Sequence, residues 1–316
     1  MTEPMIKACS LVKQYGEVTA LDGVDLQVQG GTIYALLGPN GAGKTTMINI
    51  LTTLIQPTAG DGFIAGNHVV REAEAVRRII GVTFQDLVLD RGLTGRQVLD
   101  IHGRLYHQPR EVRRRRIEEL IDLIQLGDAI DRNVKTYSGG MQRRLELARG
   151  LMTDPQIIFL DEPTQGLDPQ NRAAIWDYIR SLRQEQGLTI LLTTHFMEEA
   201  EALADMVGII DHGHKVIEGT PEELVAGIGA DVISITGKGN NSHFLERLQN
   251  LDYIDQISQS DQDGVIQIGV DNGARRIAEI VSYAGGNGYS IEDIVVARPS
   301  LGDVFLKYTG RALRDE

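Results

Sequence analysis

The sequence predicts an α/β protein with a largely parallel, helix-flanked sheet, followed by a smaller α+β domain. Three observations carry that expectation. In "TIYALLGPNGAGKTTMINILTTLI" an apolar, β-rich run leads into a glycine loop and then into apolar residues at helical spacing. In "QIIFLDEPTQGLDP" an apolar strand, Ile157 to Leu160, delivers two adjacent carboxylates at its end. From Asp231 onward the order becomes β-α-β-β-α-β, the split βαβ or ferredoxin-like arrangement.

The glycine loop places Gly38, Gly43, Lys44 and Thr45 at the fixed positions of G-x-x-x-x-G-K-T. Glycines let successive backbone N–H groups turn onto phosphates without an obstructing Cβ, and the following helix adds the positive end of its dipole. Lys44 is then expected to reach the β- and γ-phosphates, and the Thr45 hydroxyl to ligate Mg²⁺. In a parallel sheet the C-terminal strand ends face the nucleotide crevice. Asp161 is accordingly expected to hold Mg²⁺ through water, and Glu162 to polarise the attacking water.

Just before that second strand stands "YSGGMQRRLELARGLMTDP". Ser138, Gly139 and Gly140 precede a helix with apolar Leu145, Ala148, Leu151 and Met152, and such a turn at a helix start is an anion site. The chain already has one phosphate cradle. A second makes sense if it serves the nucleotide of another subunit, in a head-to-tail dimer.

On these residues the sequence resembles the nucleotide-binding subunits of ATP-binding cassette (ABC) transporters. "GPNGAGKTT", from Gly38 through Pro39, Asn40, Gly41, Ala42, Gly43, Lys44 and Thr45 to Thr46, resembles their Walker A loop, and "IIFLDEPT" their Walker B strand. "YSGGMQ" resembles the signature, and "GLDP", containing Asp168, the dimer-contacting loop. Gln85 resembles the glutamine that senses the γ-phosphate, contributes to the Mg²⁺ site and faces the membrane partner. His195 resembles the switch histidine, and Tyr15 the aromatic that stacks on adenine. The motifs run in the family order from about Leu11 to Glu201. Two positions depart from it: Tyr137 replaces the leucine usual before Ser-Gly-Gly, and Gln165 follows Thr164 at a variable position.

The resemblance implies a P-loop NTPase cassette with a RecA-like core, an antiparallel β subdomain and a helical signature subdomain. It also implies ATP and Mg²⁺ as ligands, a second cassette as partner, expected as a homodimer, and an integral membrane permease docked on the helical subdomain. Two amphipathic stretches, "TGRQVLDIHGRLYHQP" and "RRIEELIDLIQLGDAI", supply helices there.

Composition narrows the partners. The 316 residues are 42% hydrophobic and 24% charged, with a formal net charge of -13 that opposes non-specific binding to nucleic acid. Cys9 is the only cysteine, which excludes an internal disulfide and reads as a small, partly buried residue. No apolar stretch is long enough for a bilayer span, and "MTEPMIKACS" lacks the core of a signal peptide. A cytoplasmic chain, peripheral on the inner face of the membrane, is expected. The arginines from Arg110 to Arg116 precede apolar residues at helical spacing and read as a solvated helix face. His212 and His214 flank a glycine between two β-rich runs and read as an exposed hairpin turn.

The expected domains are 1–228, the nucleotide-binding domain, and 229–316, a ferredoxin-like assembly or regulatory domain. The ending "RPSLGDVFLKYTGRALRD" offers Leu301, Val304, Phe305 and Tyr308 on one apolar helix face. That ending resembles the daunorubicin-resistance-type exporter ATPases and implies export. An importer ATPase with a ligand-sensing C-terminal domain is the alternative. A non-transport ABC ATPase acting on ribosomes or DNA fits less well, given one cassette, no inserted coiled coil and an acidic balance.

Overall fold

The computed structural model describes residues 3–86, 88–227, 231–239, 245, 248, 251–259, 266–270, 273–286, 289–297 and 299–309. They group into two compact units that divide between Pro221 and Glu222.

The first unit begins β1 (Ile6–Tyr15), β2 (Val18–Val28), β3 (Ile33–Leu37), α1 (Lys44–Leu51), β4 (Ala59–Ile64), β5 (Asn67–His68), α2 (Ala73–Ile79) and β6 (Ile80–Thr83). It continues α3 (Gly95–Leu105), α4 (Arg110–Leu123), α5 (Gly139–Gly150), β7 (Ile157–Asp161), α6 (Pro169–Gln186), β8 (Thr189–Thr194), α7 (Met197–Leu203), β9 (Met206–Asp211) and β10 (His214–Gly219). A six-stranded sheet runs β10-β9-β3-β8-β7-β6, parallel from β9 to β6 with β10 antiparallel at the edge. Every residue of β3, β7 and β8 is buried, as a parallel sheet covered on both faces requires, and the polar ones, Asp161, Thr189, Thr193 and Thr194, lie at strand ends. Met47, Ile48 and Leu51 of α1 share one core with Leu36, Phe159 and Leu191. Truncating Phe159 to Ala there would cost about 3–5 kcal/mol.

A second, antiparallel sheet runs β2-β1-β4-β5. Its β2 buries Leu21, Val24, Leu26 and Val28 and exposes most residues between them, the alternation of a one-faced sheet. Cys9, on β1, is half-buried as expected.

The segment between β6 and β7 is helical. A capping box opens α3: Thr94 accepts from the Gln97 N–H, and Gln97 accepts from the Thr94 N–H. The arginine run forms α4, but its face is not uniformly solvated. Arg113 is buried, its Nε 2.5 Å from Asp100 Oδ1 and its Nη1 donating to the Gln108 carbonyl at 2.9 Å. Its aliphatic stem fills space beside Gly103, where a side chain would collide with it. The β9–β10 hairpin turns at His212 and Gly213, with the side chains of His212 and His214 exposed as expected.

The second unit contains β11 (Asp231–Gly239), β12 (Ile254–Gln259), β13 (Ile266–Val270) and β14 (Tyr289–Ala297), all antiparallel in the order β12-β13-β11-β14. Ile233, Ile235, Ile266 and Ile268 pack with Ile280 and Ala284 of the helix Gly273–Gly286. The first helix of the expected β-α-β-β-α-β order, read from "HFLERLQ" at 243–249, lies outside the described residues except at Leu245 and Leu248, which pack on this core. The turn read from "GGNG" at 285–288, before the last strand, lies partly outside them as well. In the helix Leu301–Thr309, Leu301, Val304 and Phe305 are fully buried, whereas Tyr308 is 42% exposed and does not join the face expected of it. Among the described residues no helix is long and apolar enough to cross a membrane.

Candidate active site

The parallel strands β3, β8, β7 and β6 are neighbours, so the loops leaving their C-terminal ends converge. The loop after β3 is tied to β8 by the Gly38 N–H, which donates to the Thr194 carbonyl at 3.2 Å. Gly43, with φ 106°, precedes α1, and a Cβ there would collide with the Ala20 carbonyl. Only glycine suits that turn. Lys44 follows, 4% exposed, its Nζ donating to the carbonyls of Gly38 at 2.8 Å and Pro39 at 3.1 Å.

The end of β7 meets this loop. Thr45 Oγ1 lies 3.3 Å from Asp161 Oδ1, and Thr193 Oγ1 donates to that same oxygen at 2.5 Å. Burial pushes the Asp161 carboxyl up from its ordinary value, opposed by the two threonines. Glu162 Oε1 sits 3.2 Å from Lys44 Nζ, and Glu162 Oε2 sits 3.0 Å from His195 Nδ1. The His195 approach lacks hydrogen-bond alignment, which leaves Glu162 Oε2 and His195 Nδ1 buried without a hydrogen-bond partner. Burial acts to raise the Glu162 carboxyl, but the His195 ring and the Lys44 charge outweigh it and hold the group below its ordinary value. Burial moves Lys44 the other way, lowering the ammonium despite the neighbouring carboxylates.

One cavity of about 510 Å³ is walled by Pro39, Asn40, Gly41 and Gly43 of the loop, by Lys44, Thr45 and Thr46 of α1, and by Tyr15, Gln85 and Glu162. Tyr15 is 50% exposed there, with Lys13 Nζ 5.1 Å from its ring centroid. Gln85 Nε2 donates to Gln165 Oε1 at 2.8 Å, which gives a partner to the residue that sequence reading left as a variable position. Gly38 and Ala42 shape the loop without lining the cavity, and Ala42 belongs to the core.

Ser138, Gly139, Gly140 and Asp168 do not line this cavity. Ser138 caps α5 by accepting from the Met141 N–H at 3.3 Å, and Asp168 caps α6 by accepting from the Asn171 N–H at 3.0 Å. The two caps face one structure, since a Cβ on Gly140 would strike the Asn171 side chain and one on Gly139 would rest 3.7 Å from Leu167. The predicted residues thus form two groups, one around the glycine loop and one at the start of α5 and α6.

Sequence reading missed Thr193 and Arg143. Thr193 holds Asp161 and also accepts the Glu162 N–H, on its carbonyl and its hydroxyl, both at 3.1 Å. Arg143 reaches main-chain carbonyls on either side of the site. Its signal was a charge on the stripe Gly140, Arg143, Leu147 and Gly150, at helical spacing and all buried or nearly so.

Residues 21–165 match the ABC transporter family, and residues 219–309 match the C-terminal domain of DrrA1-3-like ATP-binding proteins. The chain is 41% identical over 310 residues to the daunorubicin resistance ATP-binding protein DrrA3 of Streptomyces coeruleorubidus, covering 98% of this chain and 97% of that one. It is 43% identical over 235 residues to the Nod factor export ATP-binding protein I of Ralstonia nicotianae, covering 74% and 73%. The solved dimeric post-hydrolysis structure of the ATP-binding cassette MJ0796, bound to ADP and Pi, is 29% identical with a TM-score of 0.61, covering 68% of this chain and 98% of that one. The chain belongs to the ATP-binding subunits of ABC transporters and carries the DrrA-type C-terminal domain. It is an ATPase of that family, built on the P-loop cassette fold.

Proposed function

We propose that this chain powers export of a drug-, antibiotic- or lipid-like compound, hydrolysing ATP as a head-to-tail homodimer on the cytoplasmic face of a separately encoded membrane permease. The observation that carries this reading is full-length similarity to a daunorubicin resistance protein through both the cassette and the C-terminal domain.

In the catalytic step Lys44 pairs with the β- and γ-phosphates, exchanging its present carbonyl and carboxylate contacts for phosphate oxygens. The adjacent oxygens of Thr45 and Asp161, with Gln85 at the cavity wall, are hard donors that suit Mg²⁺. When bound, that ion would neutralise charge on the transferred phosphoryl group. Glu162, kept ionised, turns its carboxylate to the attacking water, with His195 Nδ1 3.0 Å from Oε2 and Lys44 on the Oε1 side. Tyr15 offers its open ring to adenine.

Ser138, Gly139, Gly140 and Asp168 serve the nucleotide of the second subunit, a role supported by their separation from their own cavity. The permease docks beside Gln85 on the helical subdomain. Leu54, after α1, and Tyr106, after α3, line one groove with Phe84 and His102, and Leu54 is 57% and Tyr106 47% exposed. Residues 1–228 form the nucleotide-binding domain, and 229–316 form a ferredoxin-like module for assembly or regulation. The strand order of the second unit fits a split βαβ arrangement.

Inside-out vesicles holding this chain and its membrane permease should accumulate daunorubicin on addition of Mg-ATP. The Lys44→Ala chain should give none. Vesicles that hydrolyse ATP without moving either daunorubicin or a fluorescent lipid would rule out this class of cargo.

A further inference from the structure

Arg143 sits on α5 five residues after Ser138, and only 4% of it is exposed. Its guanidinium is satisfied by main-chain carbonyls. Nε donates to Pro163 at 2.6 Å, Nη2 to Asp161 at 3.0 Å and Glu162 at 2.8 Å, and Nη1 to Phe84 at 2.7 Å while approaching Gln85 at 3.5 Å. Every acceptor belongs to one of two segments, the end of β7 with its carboxylates or the end of β6 with Gln85. A buried cation is costly unless its donors are met, and the planar fork meets them from two directions at once.

Glu162 explains why such a fork is placed here. Its φ is 48°, a left-handed conformation disfavoured for a residue with a Cβ. That turn aims its carboxylate between Lys44 and His195. Its N–H is held by Thr193 and its carbonyl by Arg143, so both adjoining peptide groups are fixed.

We propose that Arg143 is a positioning residue for ATP hydrolysis, setting the aim of Glu162 and of the Gln85 segment and tying both to the helix that begins at Ser138, Gly139 and Gly140. The inference rests on the role given to Glu162 above. Arg143 donates to main-chain carbonyls and acts through the backbone of the residues assigned to phosphate and water. Lysine cannot replace it, because one ammonium with three donors cannot span carbonyls on two segments.

The test uses the full-length chain with Arg143→Lys, which keeps the charge, and Arg143→Met, which keeps only the stem. Affinity is measured with a fluorescent ATP analogue, turnover in the steady state, and backbone opening by amide hydrogen exchange. The Lys variant should hold nucleotide within about threefold of the parent, while kcat falls about 10- to 100-fold from the loss of aim. Exchange should quicken at 84–86 and 162–166 and stay unchanged in α1. In a Glu162→Gln background the Lys change should lower residual turnover no further, since both act through one group.

Parent-like kcat in the Lys variant overturns the role. So does a loss of affinity matching the loss of kcat with exchange raised throughout the unit, or loss of the folded state, because Arg143 would then hold the fold and not the aim. A parent chain that binds nucleotide without hydrolysing it would instead overturn the reading of Glu162 on which the role depends.

Discussion

Lys44 and Glu162 touch each other, yet their removal should give opposite phenotypes. Lys44→Ala strips the phosphate contact and should weaken nucleotide binding and abolish hydrolysis. Glu162→Gln keeps the phosphate contacts and removes the group that polarises water, so it should hold ATP and migrate as a dimer on size exclusion with Mg-ATP. A Gln variant that turns over ATP at the parent rate would refute the assignment. His102 gives a pH signature. Burial and the Arg149 charge push its imidazole down to about 4 from an ordinary 6.5. Between those values the unfolded chain binds the extra proton, so the contribution is fully present above pH 6.5 and is lost as pH falls through 4. The full loss is on the order of 3 kcal/mol. Urea midpoints at pH 4.5 and 7.5 should therefore differ less for His102→Gln than for the parent.

At the scale of elements, the caps of α5 and α6 combine a local and an intersubunit role. Asp168→Ala removes the cap of α6 and should lower urea stability by about 1 kcal/mol. Asp168→Asn keeps a capping oxygen and should leave stability within a few tenths of a kcal/mol while hydrolysis falls. Equal turnover in parent and Asn variant would confine Asp168 to the cap. On the docking groove, Leu54→Glu or Tyr106→Glu should preserve ATP turnover of the free chain and weaken capture by the permease. These elements also mark how far sequence could lead. β3 and β7 were legible because strands buried on both faces are written as apolar runs. The glycine loop and its carboxylates were legible because phosphate chemistry fixes residue types at fixed spacing. Arg143 and Arg113 were not, since a charge on a helix reads as solvated until the carbonyls or carboxylate that neutralise it are folded around it. The cluster formed by Ser138, Gly140, Leu167 and Asn171 was half-legible, because two helix caps are local signals whereas their meeting depends on how α5 and α6 pack.

For the molecule as a whole, every residue assigned to the nucleotide lies before Pro221. A chain ending at residue 228 should thus bind the fluorescent ATP analogue like the parent once circular dichroism confirms that it is folded. Loss of binding in that folded chain would mean that the C-terminal part completes the site. The sheet order carries a further consequence for how the protein is made. β8 lies between β3 and β7, although it is synthesised after both and long after β3. On the ribosome, β3 must wait for roughly 150 more residues, about 8–30 s of translation, before its neighbour arrives. Until then the glycine loop and the carboxylates of β7 hang on strands with an empty lane between them. A chain released at Leu188 should remain unfolded and hold no nucleotide, whereas one released at Pro221 should fold and bind it, so a nascent chain acquires its hold on ATP in one late step.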